Sequence, residues 1–264
     1  MKKALICESD LNNEDRIEYF KKQAAGAVNQ GLWPNPSSFK SFVDVGVHYG
    51  GYLYAGKHYG ASEVYGFEAS WSNCCIAEEM IQKCGLSNVR IFNLAASSKS
   101  GEIVQLAKIK SEAASSWESG NYSITDSRTL PDNMEKSSEH ENVLTIDLEN
   151  IFKLCELDTI DALKVDIEGA EYDFLNNKDL SNVTYINIEF HGKPHDTEAL
   201  CQHMGKTHNL MMAYTAKDDT RHLPDTKPDY SIPLDRIDFS KDVHFALFRH
   251  KNLKEPIEIE IHNS

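Results

Sequence analysis

Four short apolar runs in this chain each carry an acid at or near their end and lead into a segment with helix signals. They are FVDVGV (42–47), VYGFEA (64–69), LKVDIEG (163–169) and INIEFH (186–191). Strands alternating with helices along a chain predict a parallel, doubly wound α/β sheet with helices on both faces. In such sheets ligands bind beyond the C-terminal ends of the strands. The acids there, Asp44, Glu68, Asp166 and Glu189, are therefore the first candidates for function.

The rest of the chain supports one large domain. Residues 1–40 read as a helical lead-in, with a helix over 10–31 that Asp10 can cap and Gly31 can end. Residues 41–264 read as the sheet domain. Within it, 111–140 is rich in Ser, Glu, Asp and Asn, which predicts a long loop acting as a lid or acceptor wall. Two final strands are expected at LMMAYTA and VHFALFRH, around a polar excursion at 218–242. The chain carries 41 acids against 27 bases, a formal charge of −14. Such a field repels phosphate backbones and anionic membrane surfaces, so neither nucleic acid nor a membrane is an expected partner. The apolar stretch Ala4 to Cys7 is too short for a signal peptide, and no run is long enough to span a bilayer. The six cysteines form no CxxC pair, which fits free thiols in a reducing cytoplasm.

The loop DVGVHYGG (44–51) narrows the ligand. A P-loop would need a Gly-Lys-Ser/Thr ending, which this loop lacks. A dinucleotide would place its pyrophosphate at the following helix, near Asp44. A carboxylate about 4 Å from a phosphate costs on the order of 4 kcal/mol at a surface-like dielectric. S-adenosylmethionine removes the conflict, because it carries an ammonium and a sulfonium and no phosphate. Gly46 and Gly50 allow the backbone to approach it closely, and Glu68 is placed to accept the two ribose hydroxyls. DVGVHYGG followed by VYGFEAS is similar to the first two motifs of the Rossmann-like class I methyltransferases. The cofactor contacts expected on this reading are Asp44, Gly46, His48, Gly50, Glu68, Ala69 and Ala95.

LKVDIEGAEYDFL (163–175) is more specific. It resembles the hallmark of the FkbM-type methyltransferases, here Lys164, Asp166, Glu168, Gly169 and Glu171. VLTIDLENIF upstream and INIEFH downstream resemble the flanking segments of that family, so the resemblance spans about 41–191. His48 and Tyr49 depart from the Ala-Asn more usual in the first loop. The resemblance implies S-adenosylmethionine-dependent O-methylation of a hydroxyl on a sugar, glycan or glycoconjugate precursor. Methylation of a non-sugar small molecule, and a catalytically silent cofactor-binding module, are the alternatives. Asp44 speaks against an NAD-dependent oxidoreductase on the same fold. Asp166, Glu189 and His191 are the expected catalytic residues, with His191 or Asp166 as base. Asp166 and Glu189 are also the expected ligands of a divalent metal such as Mg²⁺. For Asp166, Glu168 and Glu171 a role in capping or bracing the turn stands beside the chemical one.

Overall fold

The computed structural model describes residues 39–58, 60–111, 122–123, 134–215, 220–222 and 231–253. The lead-in helix expected over 10–31 lies outside them. Twelve strands are described: β1 Ser41–Val45, β2 Glu63–Glu68, β3 Val89–Asn93, β4 Ala95–Ala96, β5 Ile103–Ser111, β6 Tyr122–Ser123, β7 Met134–Ile146, β8 Ile160–Val165, β9 Val183–Glu189, β10 His208–Thr215, β11 Thr220–His222 and β12 Val243–His250. The helices are α1 Gly51–His58, α2 Trp71–Lys83, α3 Leu148–Cys155, α4 Glu171–Leu175 and α5 Pro194–Met204.

The main sheet has eight strands in the order β11-β10-β12-β9-β8-β1-β2-β3. From β9 through β8 and β1 to β3 all neighbours are parallel. β12 is antiparallel to both β9 and β10, and the edge strand β11 is antiparallel to β10. The order turns back between β1 and β8, which opens a crevice above those two strands, where ligands settle in doubly wound folds.

Residue alternation along the strands feeds two cores. Val43, Val45, Leu163 and Val165 point to one face, where they pack with Leu148, Ile151, Phe174 and Leu200. Phe42, Val64 and Ala162 point to the other, against Leu53 and Ala77. Burying each such Leu or Phe side chain contributes about 1.5–3 kcal/mol, which explains why these runs are apolar on both faces. Sequence signals set the helix starts. The Ser70 side chain accepts from the Asn73 N–H to cap α2, and Asp147 accepts from the Asn150 N–H at 2.9 Å to cap α3. Pro194 occupies the first turn of α5.

One expectation is corrected here. The polar stretch 111–140 is not loop throughout. Residues from Met134 onward belong to β7, which pairs antiparallel with β5, and Tyr122–Ser123 pairs with β5 from its other side. With β4 these strands make a second, four-stranded sheet. Its small buried cluster joins Ala95, Leu106 and Val143, and much of β7 is polar in sequence, so the apolar pattern that marks a core strand is weak. Residues 112–121 and 124–133 of the expected lid lie outside the described residues.

Candidate active site

The ends of β1, β2 and β8 are tied side by side. The Gly46 N–H donates to the Phe67 carbonyl at 2.9 Å, and the Asp166 N–H donates to the Val45 carbonyl at 2.9 Å. The approach is close enough that a Cβ on Gly46 would stand 1.7 Å from the Asp166 carbonyl oxygen, and Gly46 also holds φ at +89°. No other residue fits both conditions. The loop then alternates through positive φ at His48 (53°) and Gly50 (93°) before α1 begins. This path leaves an open pocket lined by Gly46, Val47, His48, Glu68, Ala69 and Asp166, among others.

Glu68 organises one end of the pocket. Its carboxylate accepts the His48 N–H at 2.7 Å, the Ser70 N–H at 2.8 Å and the Asn73 side-chain amide at 3.5 Å. Burial pushes its pKa up to about 7, although those donors pull the other way. The Asn93 amide donates to the Glu68 and Ala69 carbonyls and holds that strand end open toward Ala95 and Ala96. His48 lies against the Tyr49 ring, with centroids 3.8 Å apart. Burial lowers its pKa to about 4, so its ring is neutral, and its Nε2 is buried without a hydrogen-bond partner.

Lys164 occupies the centre. Register places it directly beside Asp44 on the adjacent strand. Its ammonium lies 3.3 Å from Asp44, 3.3 Å from Asp166 and 3.0 Å from the Gly46 carbonyl, to which it donates. It also sits 4.5 Å above the Tyr52 ring. Burial opposes its charge, but the two carboxylates outweigh this and raise its pKa. Asp44 is fully buried, and that burial raises its pKa to about 6 against the pull of Lys164. Asp44 is therefore a partner of Lys164 inside the sheet and not part of the pocket wall; Gly51, rather than Gly50, lines it.

The DIEG turn after β8 carries the other end. Glu168 and Gly169 both hold positive φ, 56° and 104°. Glu171 makes this possible, because one of its oxygens accepts the Ile167 and Gly169 N–H groups, each at 3.1 Å. The same oxygen lies 3.1 Å from His191 Nδ1. Around that ring stand Asp166 at 4.0 Å, Glu168 at 3.8 Å and Glu189 at 3.4 Å. Burial acts to lower the His191 pKa, but hydrogen bonds to Glu171 and Glu189 and the nearby charges raise it well above the usual value. These contacts favour the protonated ring of His191, the residue expected as a base. Asp166 resists burial mainly through Lys164, and its pKa is lowered; burial raises Glu168 to about 7.

The structure brings the expected Asp166, Glu189 and His191 together, with donor atoms within 4.8 Å of one another. Asp166 and Glu168 line the pocket, and Glu189 and His191 stand behind them. Sequence reasoning missed Tyr52, Asn73 and Leu106 in the pocket wall, and His244, whose Nε2 lies 3.2 Å from Glu189. His244 is on β12, far along the chain, with no motif around it.

A mostly parallel sheet with an antiparallel strand inserted beside β9, a glycine loop after β1 and an acid ending β2 define the class I methyltransferase fold. Residues 44–217 match the Methyltransferase FkbM domain, and the chain belongs to that family of S-adenosylmethionine-dependent methyltransferases. No curated protein matches the chain significantly. Among solved structures it is similar to M. capricolum TrmK in complex with S-adenosyl-homocysteine, with 11% identity, a TM-score of 0.47 and coverage of 86% of this chain and 68% of that one. It is also similar to a putative RNA methyltransferase from Pyrococcus horikoshii, with 11% identity, a TM-score of 0.43 and coverage of 88% and 83%. A ribosomal protein L11 methylase from Lactobacillus delbrueckii subsp. bulgaricus shows 12% identity, a TM-score of 0.42 and coverage of 88% and 79%. Among the described residues no helix is long and apolar enough to cross a membrane.

Proposed function

We propose that this enzyme methylates a hydroxyl of a sugar, glycan or glycoconjugate precursor. The observation that carries the reading is the convergence of Asp166, Glu168, Glu171 and Glu189 within 4.0 Å of one imidazole beside the pocket. Carboxylates accept hydrogen bonds from the hydroxyls of a neutral polyol, and they repel phosphate. The net charge of −14 acts in the same direction, against a nucleic-acid acceptor.

The residues present fit S-adenosylmethionine. The buried, unpartnered Nε2 of His48 offers a polar contact inside the pocket. Gly46 lets the backbone approach closely, and Gly50 holds the last positive φ of the loop. Glu68 stands ready for ribose hydroxyls, with Ala69 and Ala95 as walls too small to block a flat base. The cofactor, when bound, supplies a methyl group on a sulfonium. Asp166, with Glu189 behind it, orients the acceptor hydroxyl, and Asp166 takes the proton it loses on attack. Lys164 keeps Asp166 charged and fixed for that role. A divalent cation held by Asp166 and Glu189 would lower the pKa of the same hydroxyl.

The test is a screen of sugars, nucleotide sugars and glycans with a labelled methyl donor. Asp166→Asn should abolish turnover while calorimetric affinity for S-adenosylhomocysteine changes little. Turnover that survives the substitution removes Asp166 from the mechanism. Transfer only to non-sugar hydroxyls replaces the acceptor class, and cofactor binding without any transfer favours a silent binding module.

A further inference from the structure

The geometry points to a first-row divalent transition-metal site, rather than a Mg²⁺ site, built from Asp166, Glu189 and His191. These three side chains come from the end of β8 and from β9 and its extension, and each is only partly exposed. His191 Nε2 and Glu189 Oε1 are 3.4 Å apart. Two donors each about 2.1 Å from one ion at a tetrahedral angle stand about 3.4 Å apart. Asp166 Oδ1 lies 4.0 Å from Nδ1 of the same ring, while its Oδ2 faces Lys164, and one donor atom from each of the three residues lies within 4.8 Å of the others.

Glu171 supplies a second, independent observation. It is 2% exposed, pinned by two backbone N–H groups, and placed 3.1 Å from His191 Nδ1. A carboxylate that accepts a hydrogen bond from Nδ1–H fixes the tautomer and orients the ring. The other nitrogen, Nε2, is then left to bind a cation. Here Nε2 faces Glu189 and, at 3.8 Å, Glu168. The charge balance agrees: four carboxylates gather around the ring, and of them only Asp166 is paired with the Lys164 ammonium. His244, 3.2 Å from Glu189, is placed to orient that ligand from the neighbouring strand.

The donor set decides the class of ion. Mg²⁺ and Ca²⁺ take oxygen almost exclusively, whereas Mn²⁺, Co²⁺ and Zn²⁺ accept imidazole alongside carboxylates. Metal binding releases the proton on Nε2. A role for the ion in holding an acceptor hydroxyl rests on the methyl-transfer reading; the binding site itself does not.

The test uses the full chain, stripped with EDTA and exchanged into chelator-free buffer. Mn²⁺ is titrated while the electron paramagnetic resonance signal of free Mn²⁺ is followed. One Mn²⁺ per chain should bind, and pulsed spectra should show coupling to a directly bound imidazole nitrogen. His191→Gln should remove that coupling and weaken binding by well over tenfold, and Glu171→Gln should weaken it by roughly tenfold. Mg²⁺ in equal amount should not displace Mn²⁺. Far-UV circular dichroism and urea midpoints of the metal-free variants show whether they fold. For a variant that does not, nitrogen coupling in the wild type decides alone. Absence of bound Mn²⁺ at millimolar concentration, binding without nitrogen coupling, undiminished binding in a folded His191→Gln protein, or ready displacement by Mg²⁺ each overturns the inference. Calorimetry with S-adenosylhomocysteine on the metal-free chain separates the two readings. Cofactor binding without Mn²⁺ binding sinks the metal site alone, and the reverse result sinks the methyl-transfer reading alone.

Discussion

Replacing Lys164 with Met tests the centre of the site most directly. The ammonium stands 3.3 Å from each of two carboxylates, Asp44 and Asp166. At an effective dielectric of about 20, each contact is worth about 5 kcal/mol of Coulomb energy. Desolvation of the buried ammonium offsets much of that. Removing one partner of a buried pair nevertheless costs about 3–5 kcal/mol, because it strands the other charge. Asp44 is the stranded charge here, fully buried and already raised to about 6. Without Lys164 its pKa must rise further, and a proton can neutralise it. An acid whose folded pKa lies above its unfolded value binds more protons when folded. Stability is then greatest at low pH and falls as pH rises through the folded pKa. Lys164→Met should therefore lose about 3–5 kcal/mol at pH 8 and measurably less at pH 6. Urea unfolding at both pH values reads this. Adding Asp44→Asn to the variant should recover part of the loss at pH 8. A loss below about 1 kcal/mol at pH 8, within the range of an exposed ion pair, or no recovery in the double variant, would refute the account of Lys164 as a buried clamp.

Three further outcomes are expected. Glu171→Ala should destabilise by about 3–5 kcal/mol, since it leaves two backbone N–H groups and His191 without their shared acceptor; a loss within about 0.5 kcal/mol, the scale of an ordinary surface substitution, would show that the DIEG turn holds without it. Gly46→Ala should abolish cofactor binding or folding, because its Cβ would stand 1.7 Å from a carbonyl oxygen at φ +89°; a variant with native melting temperature and affinity contradicts the tight loop. His208, buried between the Thr207 hydroxyl and the Val183 carbonyl, has its pKa lowered to about 4, mainly by burial. A lowered histidine gives stability that is full above about pH 6.5 and falls as pH drops toward 4, by up to about 1.4 kcal/mol per unit. His208→Gln should flatten the urea stability profile in that window, and an unchanged slope would assign the acid sensitivity elsewhere.

Much of this architecture can be read from the chain alone. The apolar runs that become β1, β2, β8 and β9 carry their own signal, since strands buried on both faces must be apolar throughout. The same holds for helix starts, where Ser70 and Asp147 announce themselves by local capping chemistry. The glycine loop and the DIEG segment are local too, because positive φ and turn bracing depend on neighbours in sequence. Tertiary structure decided what these residues face. Asp44 looks like a loop acid in the sequence, but register beside Lys164 turns it inward. His191 looks like a base until three carboxylates in and just after the DIEG turn and Glu189 of β9 surround it and favour its protonated form. The first part of β7 is invisible to an apolar pattern, because its residues are polar and its place is set by backbone pairing with β5. His244 reaches Glu189 only because β12 inserts antiparallel beside β9. Local chemistry is written in neighbouring residues, whereas charge state and coordination depend on which distant strands the sheet order sets side by side.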